Sequence, residues 1–140
     1  MMDREATKDK SWVQDRFAHA DPLTHSIIGA AIAVHRQLGP GLLESIYQQC
    51  LMLELQARGV SFESEVQVPI SYRDTILDTG LRLDLLVGGQ IVVELKSVEK
   101  VLPVHESQLL TYMKLAEIPI GLLINFNTNL LKDGITRRVL

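Results

Sequence analysis

Asp84, Glu94 and Lys96 are the residues of this chain whose types and spacing best suit chemistry. Glu94 and Lys96 stand inside Val92-Val93-Glu94-Leu95-Lys96, which otherwise reads as a core strand. Alternation along a strand sends both side chains to one face. Removing a carboxylate and an ammonium from water costs several kcal/mol per ion, so a pair in a buried strand needs compensation. Asp84 lies ten residues earlier, among Leu83, Leu85 and Leu86. Two acids and a lysine brought together across a hairpin would suit Mg²⁺, with the lysine beside an attacking water. The competing reading is a cross-strand salt bridge at a sheet edge. An acid-x-lysine pair arises by chance about 0.7 times in a chain of this composition, so the pair by itself is weak evidence.

The elements that must position these residues follow from periodicity and punctuation. Residues 1–20 read as a polar N-terminal tail with one weak helical turn around Trp12–Phe17, and residues 21–140 as a single domain. Asp21-Pro22 starts a helix whose Ile27, Ile28, Ala31, Val34 and Leu38 recur at three-to-four spacing, and Gly39-Pro40-Gly41 stops it. A second helix is expected from about Leu42 to Arg58, with Leu43, Ile46, Cys50, Leu53 and Ala57 as its buried face. Strands are expected over Val60–Tyr72, with Pro69 at an edge or bulge, then over Leu77–Val87 and Gln90–Val98. A third helix follows at about Val104–Ala116, then an apolar strand Ile120–Phe126 and a final edge strand Ile135–Leu140. This order predicts an α/β fold, a mixed sheet with helices packed on it.

Parity decides whether Asp84 and Glu94 can cooperate. A two-residue turn at Gly88-Gly89 would pair Val87 with Gln90 and send Asp84 away from Glu94. A three-residue loop, Gly88-Gly89-Gln90, pairs Val87 with Ile91 and sets Asp84 opposite Glu94.

Further polar residues are spaced to join the cleft. Gln108 and Tyr112 lie four apart on the third helix, directly after the Glu94–Lys96 strand. Glu44 and Tyr47 lie three apart at the start of the second. Glu44 could equally be a first-turn acid favoured by the helix dipole, and either tyrosine a packing residue with a solvated hydroxyl. His35 and His105 lack partners at zinc-ligand spacing and read as packing or surface residues. Ser45 and Ser97 lack a His-Asp arrangement for nucleophilic catalysis, and no Gly-Lys-Ser/Thr follows Gly41 to make a phosphate loop. Lys100, Lys114, Lys132, Arg137 and Arg138 read as a solvated face that is also available to phosphates.

Composition narrows the function classes. The chain has 140 residues, 46% hydrophobic and 22% charged, which excludes disorder and fibrous repeats. No apolar run approaches the ~20 residues of a membrane span. The lone Cys50 permits no intrachain disulfide, and no secretory leader is evident at Met1, so a cytoplasmic protein without membrane partners is expected. A net charge of −3 argues against bulk coating of nucleic acid, though not against local contact by an enzyme whose metal site itself needs carboxylates.

The sequence resembles a small bacterial family named for its GxxExxY motif, matched by Gly41, Glu44 and Tyr47. The resemblance runs from about Ala31 to Arg138 and includes His35–Gly41, Val93–Val98 and Gly121–Phe126. That family is placed in the PD-(D/E)xK nuclease superfamily. The resemblance implies a restriction-endonuclease-like core and a metal-dependent nuclease acting on DNA. Asp84, Glu94, the Leu95 carbonyl and Glu44 would hold Mg²⁺, with Mn²⁺ able to substitute. Lys96 would serve the attacking water, and Gln108 and Tyr112 would position the phosphate or the metal ligands. One departure is Leu83, which stands where the superfamily's name has proline. The alternative is a non-catalytic nucleic-acid-binding or protein-assembly module that retains the fold. A small acidic domain offers little DNA footprint by itself, which also points to a homodimer or a protein partner.

Overall fold

The computed structural model describes residues 4–140, with side chains from Ser11 onward. Three helices come first: α1 (Arg4–Phe17), α2 (Pro22–Leu38) and α3 (Glu44–Ala57). Asp21 caps α2 as its sequence predicts, accepting from the Thr24 N–H at 2.9 Å and the Thr24 hydroxyl at 2.6 Å. Ile27, Ile28, Ala31 and Val34 are all buried, so this helix turns its apolar stripe inward.

Two expectations fail here. The segment read as a polar tail is a fourteen-residue helix, and both Val13 and Phe17 are buried. Arg16 reinforces the docking, donating to the Ile135 carbonyl at 2.9 Å and to that of Lys132. Phe17→Ala is therefore expected to cost about 3–5 kcal/mol, the range for an aromatic cavity. A denaturant midpoint close to that of the parent chain would contradict the docking. The second correction concerns α3. Its core face is Tyr47, Leu51 and Leu55, whereas Leu43, Ile46 and Leu53 are exposed. The helix carries two apolar stripes, and the one bearing the large Tyr47 ring packs inward, stacked on Phe126 at 4.6 Å.

The strands are β1 (Phe62–Gln67), β2 (Ile70–Tyr72), β3 (Thr75–Leu77), β4 (Arg82–Val87) and β5 (Ile91–Lys96), then β6 (Ile120–Asn125) and β7 (Ile135–Val139). Pro69 breaks the first expected strand in two. β2 and β3 form a separate hairpin that turns at Arg73 and Asp74, both with φ near the left-handed region at 50° and 62°. The main sheet has five strands in the order β1-β4-β5-β6-β7. Only β5 and β6 run parallel, and α4 (Pro103–Ala116) makes the crossover between them. The sheet is thus mixed, and β7 lies at its edge as the sequence predicts.

Each face of the sheet builds its own apolar layer. Val93, Leu95, Leu122 and Ile124 pack with α1, α2 and α3. Val92 and Leu123, of opposite parity, pack with Leu109 and Met113 of α4. Gly121 permits this close approach, since a Cβ there would run into the Met113 sulfur and the Leu109 side chain. No helix among the described residues is long and apolar enough to cross a membrane.

Candidate active site

The β4–β5 hairpin follows the three-residue alternative. Val87 pairs with Ile91, Leu86 with Val92 and Leu85 with Val93, while Gly88 and Gly89 take φ of 59° and 66°. Beyond Leu85–Val93 the backbone ladder stops and side chains replace it. The Leu95 N–H donates to Asp84 Oδ2 at 2.8 Å, and the Asp84 N–H donates to Glu94 Oε1 at 3.3 Å. Each carboxylate occupies an acceptor position on the other's strand, so the two acids are held together where the strands part.

The pleat changes sides at the same level. Leu83 and Leu85, two residues apart, pack in layers on opposite faces of the sheet. On the neighbouring strand Glu65 has φ of 52°, between the pairs Ser64–Leu85 and Val66–Leu83. A non-glycine residue in this region is conformationally costly, and such residues concentrate at functional sites. Gln48 of α3 bridges the distortion, donating to Glu65 Oε1 at 2.9 Å and to the Asp84 carbonyl at 3.3 Å.

Charge in the site is poorly compensated. Glu94 is 7% exposed. Burial, followed by repulsion from Asp84, raises its pKa from 4.5 to about 8. Burial also raises Asp84, with Glu65 adding repulsion. Lys96 is close enough to oppose these shifts, yet it makes no ion pair within 4.0 Å among the described residues. The cross-strand salt bridge is therefore not formed. Burial and mutual repulsion thus disfavour the doubly ionised pair, and Glu94 most of all.

The outer residues join to different degrees. Glu44 opens α3, and its pKa is raised by burial and then by Asp84, while Lys96 lowers it. Its carboxylate thus lies within the field of the pair. Tyr112 projects from α4, and burial, Glu94 and Asp84 raise its pKa in that order, which keeps its hydroxyl protonated. Gln108 is exposed, and its side chain makes no hydrogen bond among the described residues. Among those residues, no three His, Cys, Asp or Glu side chains converge tightly enough to enclose a metal. The close pair is Asp84 and Glu94, whose all-oxygen donor set and missing counter-charge fit a hard divalent cation.

The other motif residues build the walls. Tyr47 is fully buried, donates to the Gly39 carbonyl at 2.6 Å and accepts from the Leu42 N–H at 3.1 Å. It thereby pins the loop that delivers Glu44. Gly41 takes φ of 96° in that loop. Ser97 donates to the Leu42 carbonyl at 2.5 Å and latches the loop to the segment after Lys96. Tyr47→Phe should cost about 0.5–1.5 kcal/mol, because the part-buried Leu42 N–H and Gly39 carbonyl lose their partner. Unchanged thermal unfolding would show that the loop is held otherwise.

His35 bonds the Thr128 carbonyl at 2.8 Å, and His105 Nδ1 caps α4 by accepting from the Leu102 N–H at 2.9 Å, so both histidines are structural. Gln48, Glu65 and Asn125 are site-shaping residues that sequence patterning does not single out. Asn125 is buried and clamps Val98, accepting from its N–H at 3.1 Å and donating to its carbonyl at 2.9 Å. Gln48 had one sequence signal, its position four residues after Glu44 on the same helical face.

Compared with protein families, the chain matches the PD-(D/E)XK nuclease superfamily over residues 21–138. Searches of curated proteins and of solved structures return no match.

Proposed function

Because the chain belongs to the PD-(D/E)XK nuclease superfamily, we propose that it is a Mg²⁺-dependent phosphodiesterase acting on DNA, with Mn²⁺ able to substitute. The observation that carries this reading is the Asp84–Glu94 pair, Glu94 buried and Asp84 half-buried, mutually oriented and without an ion pair among the described residues. Asp84, Glu94 and the Leu95 carbonyl would hold the cation, and Glu44 would complete its shell directly or through water. When bound, the cation would neutralise phosphate charge and acidify a coordinated water. Lys96, which forms no ion pair among the described residues, would orient that water or take its proton. Tyr112 stays protonated beside the acids and would donate to a phosphate oxygen, and Gln108, exposed on the same helix, would reach the phosphate from outside.

The narrower assignment, to the GxxExxY family, rests on Gly41, Glu44 and Tyr47, whose loop-pinning geometry gives the motif a structural reason. The lone Cys50 suits a cytoplasmic setting. The net charge of −3 favours a second reading, a non-catalytic binding or assembly module on the same fold, because little basic surface is left for DNA. A cleavage assay on single-stranded, duplex and branched DNA with Mg²⁺, Mn²⁺ or EDTA separates the two. Metal-dependent product from any of these substrates is the expected result. DNA binding without cleavage under every condition would select the module.

A further inference from the structure

Asp84 is held by side chains where the strand pairing around it gives way. On the β1 side, Ser64–Leu85 and Val66–Leu83 pair, but no pair joins Glu65 to Asp84 between them. On the β5 side, the paired register ends at Leu85–Val93, one residue short of Asp84 and Glu94. Asp84 therefore sits at an open rung on both edges of β4. Its N–H donates to Glu94 Oε1 at 3.3 Å, and its carbonyl accepts from Gln48 Nε2 at 3.3 Å.

Of these partners, Gln48 comes from outside the sheet. It lies half-buried on α3, one turn after Glu44 and on the same helical face. An amide side chain has two N–H donors, and the Gln48 amide also reaches Glu65 Oε1 at 2.9 Å. Glu65 stands opposite Asp84, and its φ of 52° is the left-handed backbone that opens the rung. Glycine takes that conformation freely, whereas a glutamate keeps it only where the surroundings hold it. Gln48 bonds both sides of the opening.

Relaxation has a direction. If Glu65 returned to extended backbone, the rung would close and β4 would regain a regular pleat. Leu83 and Leu85 now pack on opposite faces of the sheet, so a regular pleat would turn the Asp84 carboxylate relative to Glu94.

From this we infer that Gln48 is a positioning residue of the cation site. It keeps the rung open, fixes the Asp84 carboxylate beside Glu94, and ties that geometry to the helix that carries Glu44. This role rests on the proposed reading of Asp84 and Glu94 as cation ligands.

Mn²⁺ calorimetry and urea unfolding in EDTA, run in parallel on the full chain, test it. Gln48→Met keeps the length of the side chain and removes its donors. Groups that orient metal ligands are worth roughly 10–100-fold in affinity, and Mn²⁺ binding should weaken by that factor. The urea midpoint should stay near that of the parent, because a closed rung replaces the lost hydrogen bonds. Glu65→Gly in the Gln48→Met background should restore most of the affinity, since glycine takes the left-handed conformation without support. Equal Mn²⁺ affinity in the parent and Gln48→Met would overturn the positioning role and leave the cation site standing. So would a double variant that binds no better than Gln48→Met. A parent chain that binds no Mn²⁺ would overturn the cation reading and this role with it.

Discussion

Lys96→Ala is expected to reduce metal-dependent cleavage about 10²–10⁴-fold, the range for losing a positioned acid–base group. The fold should persist, because Lys96 is only half-buried at the end of β5 and, among the described residues, carries no ion pair that its removal would break. Cation affinity should change little, since the residue serves the water and not the ion. Cleavage rates under saturating metal, compared with calorimetric cation affinity, separate these effects. Activity within a few-fold of the parent would remove Lys96 from the chemistry. A matching loss of cation affinity would reassign it to the metal shell.

Glu94→Gln is expected to stabilise the cation-free protein at alkaline pH while destroying its cation site. In the folded chain Glu94 titrates at about 8, against an ordinary value of 4.5. Between those values the folded state keeps a proton that the unfolded state gives up. Stability supplied by the neutral acid is therefore fully present below about pH 4.5 and is lost as pH rises through about 8. Glutamine preserves the Oε1 acceptor for the Asp84 N–H but carries no charge. The variant should be more stable than the parent above pH 8, on the order of a few kcal/mol. Asp84, raised in the same direction, would leave a smaller residual slope. Urea unfolding in EDTA from about pH 5 to about pH 9 measures the difference. Parallel curves for the two proteins would mean that Glu94 is solvated and not held beside Asp84.

What the sequence reveals about this molecule depends on whether a feature is local. The Asp84–Glu94 juxtaposition was readable as one of two parities, because strand alternation and two consecutive glycines restrict a hairpin to few registers. The cap at Asp21 and the stripe of α2 are equally local. The orientation of α3 was not legible, since two apolar stripes compete on one helix and only packing against Phe126 decides between them. Residues 1–20 were misread because Val13 and Phe17 are sparse in sequence yet fall on one helical side, four residues apart. Glu65 and Gln48 had the least signal. Left-handed backbone at a glutamate has no sequence signature, and a contact between α3, β1 and β4 exists only after folding. The pair of acids was thus visible before the structure, whereas the shell that holds it was not.

The central claim is that Asp84 and Glu94 together form a divalent cation site. Isothermal titration of Mn²⁺ into the full chain and into Asp84→Asn and Glu94→Gln at pH 7 tests it most directly. The account predicts saturable binding by the parent chain, with proton release as the cation ionises Glu94, and loss of that binding in both variants. Equal Mn²⁺ binding by all three proteins, or none by the parent, would contradict it.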